Sequence, residues 1–424
     1  MTADGTTANS VLYRVESRCR ACGTGDLRDV LDYGASPIAD GLLEANELGR
    51  PEPRAPLSLA LCPECSLLQI RETVDPHVLF SPRYPYFSST SASWLTHCRD
   101  NALELIDSLT LGPESSVVEI ASNDGYMLRN FKDAGIPVLG IDPAGPPADA
   151  ATRAGIPTRR EFFDEDLAAD LARQGQFGDL VLANNVLAHV PDLRGFVRGL
   201  SRILKPAGTL VIEVPYARDL IEACEFDTVY HQHLCYFALA PLVRLMAAQE
   251  FQIHDVRRLS THGGSLRCYI GKNRKPSAAV ARMLEEERAS DPLDADRCRD
   301  FARQAVELAG GLKRLLQDLH REGKRVAAYG AAAKATTLLH LCGIDVSILD
   351  YVVDSNPYKH GKYLPGARLE IRDPTILASD RPDYLLLLAW NLRDEILPQQ
   401  RPYLEAGGQI IVPLPRLEII PASP

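Results

Sequence analysis

Apolar and polar positions in the middle of the chain follow a strand–turn–helix–strand order. Val117–Gly125 reads VVEIASNDG: an apolar strand carrying Glu119, then the small and polar run Ala121-Ser122-Asn123-Asp124-Gly125. Tyr126, Leu128, Phe131 and Ala134 follow at the spacing of one buried helix face. A second apolar strand, Val138–Ile141, ends in Asp142, 23 residues after Glu119. This order predicts a nucleoside-binding α/β unit, in which the turn brings backbone close to the ligand and the strand-terminal acid takes the ribose hydroxyls. The turn has no GxGxxG and keeps one glycine, Gly125, so a dinucleotide pyrophosphate is poorly served. A cofactor with an amino-acid tail in place of phosphates fits. That points to S-adenosylmethionine, held by Glu119, Ala121, Asn123, Asp124, Gly125 and Asp142. Alanine at 121, where glycine is usual, is tolerable at negative φ. An ordinary βα turn ending in Asn-Asp-Gly is the other reading.

The same patterning extends on both sides. Short strands are expected at Leu57–Leu61 and Leu67–Ile70. A Tyr- and Ser-rich stretch from Tyr84 to Ser91 is kept irregular by Pro82 and Pro85, and a helix follows from about Ser93 to Leu109. Asp179–Ala183 is a buried strand closing on Asn184 and Asn185, where the cofactor's tail or the substrate would lie. A helix at about Leu193–Leu204, a turn at Gly208 and a strand at Thr209–Val214 come next. Ala217–Tyr236, richer in His, Tyr and acids than its neighbours, reads as an inserted active-site segment. Residues 276–322 are helical with a break near Asp291-Pro292. A second α/β unit opens at Arg325–Gly330, with a helix to Leu341 and strands near Leu349–Val353, Tyr384–Leu388 and Gln409–Val412.

Composition changes this picture at two points. At 424 residues the chain exceeds one hydrophobic core, so several domains are expected. Ten cysteines in a chain without a secretory signal at its start should be reduced thiols of a cytoplasmic protein. Four are grouped as Cys19-x-x-Cys22 and Cys62-x-x-Cys65, two knuckles that give the four thiolates of a tetrahedral zinc site. The 39 residues between them require a small β module. Four thiolates leave no position for water, so the metal is expected to be structural and far from the chemistry; a redox pair is the weaker reading. A net charge of −10 argues against a nucleic-acid surface, and no apolar run approaches the roughly 18 residues of a membrane span. The expected class is α/β: an N-terminal zinc-binding β module (1–75), a central Rossmann-like methyltransferase domain (76–258) and a second Rossmann-like domain (259–424).

The Cys-x-x-Cys pairs, the Tyr/Ser stretch, EIASNDG, NNVLAHVPD, LKPAGTLVIEVPY, EFDTVYHQHLCYF, GGSLR, YGAAAKATTLL and YLLLLAWN occur in this order and span nearly the whole chain. Together they resemble the deoxysugar C-methyltransferases of antibiotic pathways, the mycarose and tetronitrose type. The resemblance implies transfer of methyl from S-adenosylmethionine to a ring carbon, usually carbon 3, of a dTDP-4-keto-deoxysugar. Methylation of carbon 5 or of another activated ketone, or a non-catalytic homologue, are the alternatives. A proton α to a ketone can be removed to give an enolate, so the site needs a base and donors aimed at the developing oxyanion. By resemblance His233 is that base and Tyr230 polarises the 4-keto oxygen, with His189 and Tyr84 at further active-site positions. Gln232 stands where the family has glutamate. Either the base works without that partner, or the substrate differs from the tetronitrose type, or a carboxylate comes from elsewhere. If the carboxylate merely tunes the base, glutamate restored there is expected to raise the rate or shift the pH optimum upward. His231 points the other way in an extended segment. The turn Gly330–Thr336 offers a diphosphate cradle with Lys334 as its cation, and Asp354 and Lys359 of the tract after it could close on the same ligand. Tyr86 and Ser88 complete the expected substrate contacts. The expected partner is a small nucleotide sugar, with no nucleic acid, no membrane and a monomeric protein.

Overall fold

The computed structural model describes residues 12–80, 86–291 and 293–422. Among these, seven strands form a central sheet in the order Phe251–Leu259, Ser265–Lys272, Leu204–Pro215, Gly178–Asn184, Val117–Ile120, Val138–Ile141 and Thr158–Arg159. The last five pair in parallel. Val117, Leu180 and Val211 are fully buried, as strands covered by helices on both faces require. The helix Ala92–Ser108 covers one face with Trp94, Cys98, Ala102 and Leu105; the Ser91 side chain caps it by accepting from the Trp94 N–H. After the cofactor turn the helix is short, Leu128–Asp133. Ala134 is exposed rather than buried, and Ile136 fills the core behind the helix.

The division at residue 258 falls inside a hairpin, since Leu259 pairs with Ser265 and Arg257 with Arg267. Residues up to Lys272 therefore complete the central sheet. The β module has a ten-residue strand, Arg28–Pro37, between its knuckles. Its four-stranded sheet runs Cys235–Tyr236, Leu68–Ile70, Arg54–Leu61, Arg28–Pro37. The first strand belongs to the inserted segment of the central domain, so module and segment share one hydrogen-bonded sheet.

The C-terminal unit is a six-stranded sheet in the order Ile371–Arg372, Val352–Val353, Val326–Tyr329, Tyr384–Leu387, Gln409–Val412 and Glu418–Ile420, parallel except at the last pairing. The helices Ala278–Ser290 and Ala295–Arg321 precede it; Asp291 at φ +38° ends the first and the Asp294 side chain caps the second. Glu287 of the first helix accepts from the N–H groups of Leu239 and Ala240 at the start of the helix Leu239–Ala247, and from the Tyr216 hydroxyl. No helix among the described residues is long and apolar enough to cross a membrane.

Candidate active site

The four cysteine sulfurs lie within 4.8 Å of one another, with Cys19–Cys65 at 3.5 Å and Cys22–Cys62 at 3.6 Å. A tetrahedron of zinc–sulfur bonds of about 2.3 Å has edges of about 3.8 Å, so the donor set fits zinc. Hydrogen bonding from Cys65 pulls the Cys19 thiol down to about 5, while Cys65 itself is pushed far up. Four thiolates at this spacing cannot coexist without a cation. The site adjoins the inserted segment: Cys19 is close enough for its charge to act on Cys235, two residues after His233. None of the four cysteines lines the cavity described below.

One cavity of about 930 Å³ opens between the β module, the central sheet and the C-terminal unit, and Ala121, Asn123, Asp142, Asn184 and Asn185 line its central side. Asp142 accepts from the Asn123 N–H through one oxygen and from the Ala144 N–H through the other, both at 2.8 Å. Each oxygen keeps a lone pair toward the cavity. Burial pushes the Asp142 carboxyl up to about 6 against these two donors. Ala121 and Asn123 have φ of +58° and +49°. The condition under which alanine is easily tolerated at 121 is therefore not met, and the turn holds a left-handed alanine under strain. A Cβ at Gly125 would stand 2.2 Å from Ile156 Cδ1, so that buried side chain would have to shift, and φ of +78° favours glycine. Glu119, Asp124 and Gly125 lie beneath the cavity wall. Asp124 accepts from the Ser89 N–H and hydroxyl, and the Asn123 carbonyl oxygen accepts from the Ser88 N–H at 2.9 Å. The two side chains thus fasten the Ser-rich stretch over the turn. Both Glu119 oxygens and Asn184 Oδ1 are buried without a partner in the protein, which suits a ligand with donors such as the cofactor's tail.

The inserted segment is positioned from three sides. Leu234 donates to Ala188 O and accepts from the Ile70 N–H, and the Thr337 hydroxyl donates to Val229 O. His233 Nδ1 lies 3.0 Å from Thr228 O and His189 Nδ1 lies 2.7 Å from Gln232 O. A carbonyl only accepts, so each Nδ1 carries the proton and each Nε2 presents a lone pair. Tyr230 Oη is 2.7 Å from His233 Nε2, to which it donates, and the two imidazole centroids are 5.0 Å apart. Burial holds His189 down at about 4, so it is neutral near pH 7. Burial, then the charge of Asp40, raises the Tyr230 phenol well above its usual range and keeps it a donor. Gln232 is turned away from these rings: its Nε2 donates to Ala39 O at 2.7 Å, and its Oε1 is buried without a partner. His231 points to the β module, with Nε2 3.0 Å from Pro56 O. Tyr84 lies outside the described residues.

Across the cavity, Asp354 accepts from the Ala331 N–H at 2.7 Å and the Asn356 N–H at 2.8 Å, and Lys359 Nζ donates to Ala331 O at 2.8 Å. Lys334 Nζ sits 4.6 Å from the Trp390 ring centroid, and Trp390 Nε1 donates to Asp227. Lys334, Asp354 and Lys359 line this side, whereas Tyr86 and Ser88 line the cavity from the stretch bound to Asn123. Sequence reasoning missed Phe162, whose ring packs edge-on with His77 and Phe80 at the cavity wall, and the two carboxylates Asp40 and Glu225. Phe162-Phe163 directly after a strand was a readable signal; Asp40, in a turn of the β module, carried none.

Comparison with known proteins finds the same three parts, with the division between the second and third at the hairpin turn. A family model described as "Putative zinc binding domain" matches residues 19–80, "Methyltransferase domain" matches 94–256 and "C-methyltransferase C-terminal domain" matches 260–415. The C-methyltransferase NovU of Streptomyces niveus is 34% identical over 97% of this chain and 99% of its own length. The chain belongs to the zinc-containing sugar C-methyltransferase family. It is an S-adenosylmethionine-dependent C-methyltransferase with a four-cysteine zinc site. Among solved structures, magnesium protoporphyrin IX methyltransferase from Synechocystis with bound S-adenosylmethionine is 15% identical over 43% of this chain and 82% of its own, at a TM-score of 0.32, and no weight rests on that likeness.

Proposed function

We propose that this enzyme methylates carbon 3 of a dTDP-4-keto-deoxysugar through an enolate, as a step of antibiotic sugar biosynthesis. The observation that carries this reading is the Tyr230–His233 pair: a phenol that stays protonated, hydrogen-bonded to an imidazole whose Nε2 is the basic nitrogen. It faces a cavity walled by two α/β turns, each closed by a strand-terminal acid. Asp142 would take the ribose hydroxyls of S-adenosylmethionine, and Phe162 offers an apolar wall for its base. S-adenosylmethionine, when bound, supplies the electrophilic methyl group. Lys334 and the N-terminus of the helix Ala333–Cys342 hold the diphosphate of the sugar nucleotide.

When the ketone enters, the Tyr230 hydroxyl turns from His233 Nε2 to the carbonyl oxygen. The same movement frees the base and supplies the oxyanion donor. His233 Nε2 then removes the α proton, while the Thr228 carbonyl steadies the imidazolium through Nδ1–H. The Nδ1–H of His189 is spent on Gln232 O and its ring is neutral, so we assign it a second acceptor role beside His233. The test is incubation with a panel of dTDP-4-ketosugars in deuterated water, with mass spectrometry for one added methylene. His233→Asn should abolish both α-proton exchange and methylation while S-adenosylhomocysteine still binds. Tyr230→Phe should lose about 10²–10³ in rate, the usual effect of removing one oxyanion donor. Wild-type exchange in His233→Asn would place the base elsewhere.

A further inference from the structure

The acids that face the cavity are nearly all held by donors of the protein: Asp142 and Asp354 by backbone N–H groups, Asp192 by the Gly195 N–H, Glu395 by the Ser93 hydroxyl. Among the described residues, Asp40 and Glu225 line it with no hydrogen bond or ion pair to their carboxylates. Glu225 sits under the glycine pair of GGSLR, where a Cβ on Gly263 would come within 2.4 Å of its oxygen, and on the side of Lys334. Asp40 lies at the other end, against the reacting residues. It is delivered by the β module in a turn closed by the Gly41 N–H on Ile38 O, and the carbonyl just before it is gripped by Gln232. Its φ of +58° is uncommon for an acid and is held by both of these contacts.

Asp40 is the strongest charge acting on the Tyr230 phenol, and Lys359 and Asp354 are the charges acting on Asp40 itself. Lys359 Nζ donates to Ala331 O and lies 3.6 Å from Asp354, and no group among the described residues donates to the Asp40 oxygens. A half-buried carboxylate with no donor is costly until a ligand brings one. Ala39, the residue before Asp40, is held by Gln232, which lies between Tyr230 and His233 in the chain, and all of these but Ala39 line the cavity, so on the function proposed above the ligand group that Asp40 meets is the ketone-bearing ring.

Resting on that reading, we infer that Asp40, carried into the site by the zinc module, accepts a hydrogen bond from a hydroxyl or ammonium substituent of the ketosugar. Asp40 thereby selects substrates that keep a donor at that ring position. The carboxylate is an acceptor for the substrate and takes no proton from carbon.

Two variants test this. Asp40→Asn keeps the shape and tolerates the left-handed backbone, and Asp40→Gly removes the carboxylate at no backbone cost. Both are assayed with dTDP-4-ketosugars that differ by a single hydroxyl or amino group at carbon 2 or carbon 3. Zinc content and S-adenosylhomocysteine affinity serve as folding controls. KM for the member bearing the donor should rise by roughly ten- to a hundredfold, the usual worth of a hydrogen bond to a charged group, with kcat little changed. KM for the counterpart lacking it should match wild type. An unchanged KM for every member overturns the inference, as does a fall in kcat that is equal across the panel. Wild-type protein that methylates none of them removes the proposed substrate class, and the inference with it.

Discussion

Asp142 shows how one side chain can serve the fold and the cofactor together. Its oxygens close the turn by accepting from Asn123 and Ala144, and the same oxygens look into the cavity. Asp142→Ala should weaken S-adenosylhomocysteine binding by about one to two orders of magnitude, since hydrogen bonds to a charged group are worth about 1.5–3 kcal/mol. Calorimetry checks it. Burial lifts this carboxyl to about 6, so the acceptor form is lost as pH falls through that value. Cofactor affinity should therefore decline below about pH 6 in wild type and stay flat in Asp142→Ala. Gln232 is the second informative residue. Because its Nε2 donates to Ala39 O from a site only 2% exposed, Gln232→Glu would set a carboxylate against a carbonyl with no donor nearby. We expect a loss of roughly 1–3 kcal/mol in urea unfolding and no gain in rate. The reason the amide looked like a tuning partner for the base was its place in the motif; its direction was not visible there.

At the level of elements, the same device occurs twice. A strand-terminal acid closes the preceding turn in the central unit through Asp142 and in the C-terminal unit through Asp354. The hairpin at the far edge of the central sheet is tied in by a buried cluster. Glu213 lies 2.8 Å from His97 Nε2 and 3.3 Å from Arg267 Nη2, joining the strands Leu204–Pro215 and Ser265–Lys272 to the helix Ala92–Ser108, and Trp94 of that helix stacks on His97. Burial alone would raise the Glu213 carboxyl, but the His97 hydrogen bond and the Arg267 charge outweigh it and hold it below the usual range. A carboxylate with a lowered pKa stabilises the fold above its unfolded pKa and loses that contribution as pH falls through the folded value. Arg267→Met leaves Glu213 buried with one partner, and should cost about 3–5 kcal/mol at neutral pH. The deficit should shrink in acid as Glu213 is protonated. Urea titrations at pH 7 and pH 4 measure both.

Over the whole molecule, the β module, the central sheet and the C-terminal unit meet on the segment Ala217–Tyr236. Cys235 and Tyr236 pair with Leu68 and Gln69 of the module, while Thr337 and Trp390 of the C-terminal unit bond Val229 and Asp227. Zinc removal should therefore disable the active site along with the module. With a chelator, melting temperature and turnover are expected to fall in step with zinc content measured by elemental analysis. Full activity in zinc-free protein would show that the segment stands without the module.

The elements that need only local information were readable in the chain. Largely apolar blocks marked the strands Val117–Ile120, Val138–Ile141 and Val326–Tyr329, because strands buried on both faces are mostly apolar. Knuckle spacing marked the four thiolates, since two residues between cysteines suffice to turn both sulfurs toward one ion. What pairing over long separations decides was not readable. The hairpin Phe251–Leu259 with Ser265–Lys272 joined the central sheet although its sequence lies next to the C-terminal helices. The tautomers of His189 and His233 are set by the carbonyls of Gln232 and Thr228, and the direction of Gln232 by Ala39, 193 residues away. Side-chain type and spacing are properties of the chain, whereas hydrogen-bond partners across domains exist only once the three units close around one cavity.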